Sequence, residues 1–139
     1  LKSEVHYDIF LLDSIGELTV VYEMATVVFV GKSLVPGGGQ NILEPAFFGK
    51  PILFGPYMEN FREVAETFVH EQAAVRVMDA AEFSQRLLEL LRNREMRSAL
   101  SARAGKIIAE NRGAAHNTMH EIRELVDRMN FEFRSSNFE

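Results

Sequence analysis

Three consecutive glycines carry the clearest chemical signal in this sequence. Gly37, Gly38 and Gly39 stand between an apolar run at residues 27–31 and a second apolar stretch that begins at Ile42. Glycine lacks a side chain and tolerates positive φ, so a ligand can lie directly against backbone N–H groups. A helix that begins beside the loop would direct its unpaired N–H groups and positive dipole end at the same place. A strand, a glycine loop and a helix N-terminus in this order favour a phosphate site over a flexible surface connection.

Two polar residues beside the glycines support two interpretations. Asn41 and Glu44 have the spacing of a capping box, in which each side chain bonds a backbone N–H of the other residue. Alternatively, the Glu44 carboxylate accepts hydrogen bonds from the two hydroxyls of a ribose, as acidic residues do in dinucleotide sites. The spacing alone does not separate these two roles.

Two further loops are expected to open beside the glycine loop. In the first, residues 13–18, Asp13 or Ser14 is expected to cap the helix that follows, and the loop could instead offer backbone groups to a nucleobase. In the second, residues 54–61, Asn60 is expected to cap a helix and Tyr57 to pack against the core. Three loops that converge on one edge of a sheet indicate a site more strongly than any one loop does.

These loops need strands and helices to position them, and the hydrophobic spacing predicts both. Apolar runs predict buried strands at residues 9–12, 27–30, 51–55 and 73–77. Helical periodicity and capping signals predict helices at residues 17–25, 42–48 (ended by Gly49), 60–68, 80–91, 94–111 (ended by Gly113) and 114–129, with a loose tail at 131–139. Short strands that alternate with helices predict an α/β fold: a Rossmann-like parallel sheet with helices on both faces.

Composition narrows the possible functions. The 139 residues carry a net charge of −5, which argues against a nucleic-acid partner. Cysteine is absent, which excludes disulfides and thiolate metal sites, and no apolar run approaches the ~18 residues of a membrane helix. The chain is long enough for one domain. Because it opens on Leu1, we expect residues 1–139 to be one partial domain of a longer protein.

Two apparent motifs each lack a residue that they require. Lys32 and Ser33 after Gly31 look like the end of a phosphate-binding P-loop, but no glycine stands five residues before Gly31 and the intervening run is a strand. His116 and His120 share a helical face, yet the residue between them that a zinc protease needs as glutamate is asparagine. A nucleoside triphosphatase and a metalloprotease are therefore disfavoured.

Several blocks together resemble the 3-deoxy-D-manno-octulosonic acid (Kdo) transferases. The blocks are residues 13–18 (DSIGEL), 25–33, 35–45 (VPGGGQNILEP), 49–56 and 60–63 (NFRE), and the resemblance runs from about residue 8 to about residue 113. It implies a glycosyltransferase-B fold, two Rossmann-like domains across a cleft, of which this chain is most of the C-terminal, donor-binding one.

The resemblance also implies a reaction and roles for individual residues. Kdo would pass from CMP-Kdo to a lipid A precursor at the cytoplasmic face of the inner membrane, with no cofactor and no obligatory metal. The catalytic base would lie on an N-terminal domain that this chain lacks, so the chain alone would be inactive. The implied donor-binding residues are Gly37, Gly38, Gly39, Gln40 and Asn41 at the phosphate, Glu44 at the ribose, Gly16 and Glu17 near the cytosine, and Asn60 beside the sugar or phosphate.

Two positions depart from the family pattern: Gln40 replaces the usual histidine, and Lys32 stands where glycine is common.

By the resemblance, two strands of the donor domain are missing between the runs at 9–12 and 27–30, so these runs should not pair. Their open edges could form a non-native dimer. Alternative interpretations are a UDP-sugar-using glycosyltransferase-B half and a non-catalytic flavodoxin-like interaction module.

Overall fold

The structure is a computed structural model that describes residues 8–111. Within this range the chain alternates helices with short strands. The elements are α1 (Leu18–Met24), β1 (Val28–Phe29), α2 (Leu43–Phe47), β2 (Ile52–Phe54), a 3₁₀ turn (Glu59–Phe61), α3 (Arg62–His70), β3 (Val75–Arg76), α4 (Ala80–Arg92) and α5, helical from residue 94 to 111.

The three strands form one parallel sheet in the order β1–β2–β3. Val28 of β1 pairs with Ile52 of β2, and Leu53 of β2 pairs with Val75 of β3. Because all three strands run the same way, the loops that follow them open from one shared edge. Helix α2 connects β1 to β2 and α3 connects β2 to β3, which confirms the predicted parallel α/β fold.

The core has two parts, one on each face of β2. Successive side chains of a strand point to opposite faces. Ile52 and Phe54 accordingly join one apolar cluster, with residues of α2, α3 and α5, while Leu53 joins a second, with residues of α4 and Leu100 of α5. All three β2 side chains have no exposed surface. The central strand therefore fixes the position of the loops on either side of it.

Local signals set the ends of two helices as predicted. The Asp79 carboxylate caps α4 by accepting from the N–H groups of Ala81 at 2.9 Å and Glu82 at 2.8 Å. The Glu82 carboxylate accepts from the Met78 N–H, one residue before the cap. Gly49 follows Phe48, the C-cap residue of α2, and has a φ of 62°, the left-handed conformation that ends many helices.

The prediction of a buried strand at residues 9–12 is wrong. No strand forms there, and Ile9, Phe10 and Leu11 are 87%, 73% and 82% exposed. An apolar run becomes a buried strand only where a neighbouring strand completes its hydrogen bonds, and in the described residues the sheet ends at β1 without reaching this run. Phe29 of β1, at that open edge, is 36% exposed.

Some predictions lie outside the described residues: Gly113 as a helix stop, the helix at 114–129 with His116 and His120, and the tail at 131–139. Between residues 8 and 111, no helix combines the length and apolar character needed to cross a membrane. Over the same range, no group of three or more acidic or histidine side chains could hold a metal ion.

Candidate functional site

Hydrogen bonds of Ser33 join the two loops that follow β1 and β2. Its side chain has no exposed surface. Its Oγ donates to the Val30 carbonyl oxygen at 2.6 Å and accepts from the Gly55 N–H at 2.8 Å. Its carbonyl oxygen accepts from the Tyr57 N–H at 3.0 Å. The chain after β1 is therefore held against the chain after β2 where both leave the sheet.

The three glycines are required by both conformation and space. Gly37, Gly38 and Gly39 have φ values of 152°, 91° and 63°, a range that L side chains rarely adopt. A Cβ on Gly38 would overlap the Asn60 side-chain amide, and a Cβ on Gly39 would overlap the Met58 sulfur. The Gly38 carbonyl oxygen also accepts from the Asn60 N–H at 3.2 Å. The glycine loop thus lies directly on the loop after β2.

The backbone N–H groups of this loop are not used by the rest of the described chain. None of the amides of residues 37–41 donates a hydrogen bond to an acceptor within residues 8–111. Gly38 and Gly39 are themselves buried residues. Buried backbone N–H groups nearly always have a partner, so these free donors favour an acceptor supplied by a ligand or by water.

Asn41 and Glu44 bond each other, but not as a standard capping box. Helix α2 takes Ile42 as its N-cap, one residue later than predicted. The Asn41 Oδ1 accepts from the Leu43 N–H at 2.9 Å, and its Nδ2 donates to Glu44 Oε1 at 3.0 Å. The predicted cap at Asn41 is therefore displaced, because its side chain folds back on the next turn. The bond to Asn41 orients the exposed Glu44 carboxylate.

A cavity of about 330 Å³ lies between α1, β1 and the start of α2. Gln40, Asn41 and Glu44 supply its polar lining, and Val30 and Gly31 line it where the chain leaves β1. The remaining lining side chains are apolar or aromatic and come from Leu18, Tyr22, Val28, Phe29 and Pro45. One wall of the cavity is therefore suited to a ring and the other to hydroxyl groups.

Tyr22 is a cavity residue that the sequence did not single out. Its ring stacks on Phe48, with centroids 5.8 Å apart and planes 28° apart. Burial raises the pKa of the Tyr22 hydroxyl above its usual value of 10.0, and the negative charge of Glu44 raises this pKa further. The hydroxyl is therefore neutral at physiological pH and can donate a hydrogen bond.

The first loop lies beside the cavity without lining it. Gly16 has a φ of 97°, and Glu17 is the N-cap residue of α1. Neither lines the cavity, although Leu18, the next residue, does. The prediction that Asp13 or Ser14 caps α1 is wrong, because the helix has no side-chain cap and the Ser14 hydroxyl donates to the Glu17 carboxylate.

The structure brings the third loop to the glycines. Asn60 belongs to the 3₁₀ turn and does not cap α3, whose N-cap is Phe61 without a side-chain bond. The predicted cap fails because the Asn60 side chain packs instead against Gly38. Ser33 and Met58 were missed, since burial of a serine or methionine in a loop leaves no periodic signal in the sequence.

Several known proteins are similar to this chain in sequence. A 3-deoxy-D-manno-octulosonic acid transferase from Haemophilus influenzae is 35% identical over 121 residues, which make up 86% of this chain and 28% of that protein. The same-named transferase from Bordetella pertussis is 34% identical over 121 residues, or 87% of this chain and 28% of that protein. Over these 121 residues the chain is similar to the Kdo transferases.

A solved structure identifies the part of the family that this chain matches. The C-terminal CMP-Kdo binding domain of WaaA from Acinetobacter baumannii matches with a TM-score of 0.67 and 39% identity. The match covers 70% of this chain and 51% of that domain. The chain therefore spans about half of the solved domain and 28% of the length of each of the two transferases named above. No protein-family model matches the chain.

Proposed function

We propose that this chain is the CMP-Kdo-binding half of a transferase that passes Kdo to a lipid A precursor. One observation carries the proposal: the amides of residues 37–41 have no acceptor in the described chain, and they lie beside a cavity that contains the Glu44 carboxylate. A nucleotide sugar offers both complements, since its phosphate accepts from N–H groups and its ribose donates to a carboxylate.

The phosphate is assigned to Gly37, Gly38, Gly39, Gln40 and Asn41. Successive N–H groups in left-handed and turn conformations form concave anion-binding surfaces, and this loop has three positive φ values in a row. The Gln40 amide side chain adds a neutral donor where the family usually has histidine. Because helix α2 has only five residues, the loop amides contribute more than the helix dipole does.

The ribose is assigned to Glu44. Its carboxylate keeps one oxygen for the Asn41 side chain, which leaves the second oxygen and the remaining lone pairs for two hydroxyls. The cavity volume of about 330 Å³ lies within the usual range of small-ligand sites, roughly 300–1,000 Å³. The cytosine is assigned to the mouth of the cavity near Gly16 and Glu17, and the donor sugar to the side of the loop that touches Asn60.

In the transfer step this half of the enzyme binds and orients the donor. A hydroxyl oxygen of the acceptor bonds to the anomeric carbon of Kdo and gives its proton to the base, while the bond from that carbon to the phosphate oxygen breaks. Negative charge then develops on the departing CMP phosphate. Amides already directed at that oxygen stabilise the charge without reorganising. The base that activates the acceptor belongs to an N-terminal domain, so this chain alone is inactive, and the whole protein works at the cytoplasmic face of the inner membrane without a metal or cofactor.

Titration of the chain with CMP, followed by amide chemical shifts, tests the proposal. CMP should shift the amides of Gly38 and Gly39, and Glu44→Gln should weaken binding by about tenfold, because a charge-assisted hydrogen bond contributes about 1.5–3 kcal/mol. Glu110→Gln is the matched control: it removes the same charge from an exposed carboxylate whose only partner among residues 8–111 is Lys106 at 3.8 Å.

Three outcomes discriminate between the candidate functions. Binding of CMP in preference to UMP and UDP supports the CMP-Kdo assignment. Preference for UDP would identify a UDP-sugar site, because phosphate and ribose contacts are shared by both donors. If neither CMP nor UDP shifts the loop amides, the chain is a non-catalytic flavodoxin-like module and the proposal is refuted.

A further inference from the structure

A second cavity lies at the amino ends of the strands, whereas the glycine loop lies at their carboxyl ends. Thr26 and Pro51 line it, and these residues come just before β1 and β2, at the amino ends of the strands. Its other wall is the first two turns of α5. The cavity measures about 420 Å³ and is open to solvent. Because the strands are parallel, the length of the sheet separates it from the proposed nucleotide site.

The charge of this cavity is opposite to that of the protein. Lys50, Arg94 and Arg97 contribute to its lining, and no acidic residue does. The whole chain carries a net charge of −5. A concave surface with charges of one sign raises the local potential and concentrates ions of the other sign. The cavity therefore selects for an anion.

The cationic groups retain unused hydrogen-bond donors. The Arg94 side chain is exposed and forms no hydrogen bond or ion pair with any residue between 8 and 111. Arg97 donates through Nη1 to the carbonyl oxygens of Leu90 at 2.6 Å and Leu91 at 2.9 Å, which leaves its Nη2 and Nε without a partner in the described chain. The guanidinium is thus held in place by the end of α4 and still presents donors.

Two hydroxyl groups complete the donor set. Ser98 and Ser101 also line the cavity. With Arg94 and Arg97 they occupy positions i, i+3, i+4 and i+7 of α5, which places all four on one face of the helix. From the facing loop, Lys50 Nζ donates to the Glu23 carbonyl oxygen at 2.8 Å and keeps its two other N–H donors. Guanidinium, ammonium and hydroxyl groups together are the usual partners of phosphate oxygens.

We propose that this cavity binds the phosphate group of a second ligand, independently of the nucleotide. The phosphate could belong to a soluble phosphorylated compound or to the headgroup of an anionic phospholipid, because both present the same oxygens to Lys50, Arg94 and Arg97. The site is separate from the glycine loop, so it does not depend on the proposed donor binding.

The test uses the intact chain with CMP present, so that added phosphate does not occupy the glycine loop. Inorganic phosphate is titrated while the amide shifts of Ser98 and Ser101 are followed, and co-sedimentation is measured with vesicles of phosphatidylglycerol or phosphatidylcholine. Arg94→Ala should weaken binding about fivefold or more, because one charge-assisted contact is lost. Arg92→Ala is the matched control, since Arg92 is also exposed and does not line the cavity.

Saturable shifts at Ser98 and Ser101 that Arg94→Ala weakens and Arg92→Ala spares support a soluble phosphate ligand. Binding to phosphatidylglycerol vesicles alone, with the same dependence on Arg94, supports a lipid headgroup. The proposal is overturned if neither probe binds, or if the two arginine variants behave alike. CMP shifts at Gly38 and Gly39 are recorded in the same samples, so failure of this site is distinguishable from failure of the nucleotide site.

Discussion

Replacement of Ser33 with alanine tests whether one buried hydroxyl joins the two loops of the site. The substitution removes the bonds to the Val30 carbonyl oxygen at 2.6 Å and from the Gly55 N–H at 2.8 Å. Both partners belong to buried residues, so a donor and an acceptor would be left without a replacement. A buried polar group left unsatisfied costs about 1–3 kcal/mol, and the two together are expected to lower the free energy of unfolding by about 2–4 kcal/mol.

The measurement is urea-induced unfolding of the chain, with the slope of the transition compared between variants. Ser84→Ala is the matched control. The Ser84 hydroxyl is exposed and, among residues 8–111, bonds only the Ala80 carbonyl oxygen of the same helix, α4. Because alanine favours helix over serine, this control is expected to stay within about 0.5 kcal/mol of the parent chain. A loss at Ser33 below about 1 kcal/mol, or no larger than the control, would refute the reasoning.

The remaining predictions concern backbone and side-chain conformations near the site. Gly55→Ala should destabilise the chain by about 1–3 kcal/mol, because the added Cβ would overlap the backbone of Ser33. Gly105 lies on α5 with open space around it, so Gly105→Ala should stabilise the chain by up to about 1 kcal/mol. Denaturant unfolding of both variants measures these two effects. Lys32→Gly should stabilise by about 0.5–1 kcal/mol, since Lys32 has a φ of 58° and relief of left-handed strain exceeds the entropy cost of glycine; an unchanged or earlier unfolding midpoint would contradict it. For Tyr22, the raised pKa contributes stability that is present below pH ~10 and lost as pH rises through the folded pKa. The free energy of unfolding should therefore decrease more steeply between pH ~9 and pH ~11 for the parent chain than for Tyr22→Phe.

The stability of the glycine loop and its function make different demands on the same residues. Positive φ values and the contact with Asn60 explain why Gly38 could not be alanine even if no ligand bound. The loop amides without an acceptor in residues 8–111 are the feature that packing does not explain, because a purely structural loop would bond them to the protein. Measurements that separate folding from binding, such as shift titrations of folded variants, are therefore the informative ones here.

Local sequence signals determined most of the elements. Periodic spacing placed the helices, the Asp79 cap and Gly49 set two helix ends, and three apolar runs became parallel strands. The glycine loop could also be predicted, since a run of glycines after a strand indicates positive φ values and close approach of the backbone to its neighbours. These features depend on neighbours only a few residues away, and the sequence contains that information directly.

Tertiary structure decided the features that join distant segments. Three contacts join residues that are about 20 positions apart in the sequence. Ser33 bonds Gly55, Asn60 contacts Gly38, and Tyr22 lies near Glu44. The apolar run at residues 9–12 also shows what the sequence leaves open. Its side chains stay exposed, because apolar side chains are buried only where another part of the chain covers them. Spacing along a chain states which residues can be buried or bonded, whereas only packing selects their partners.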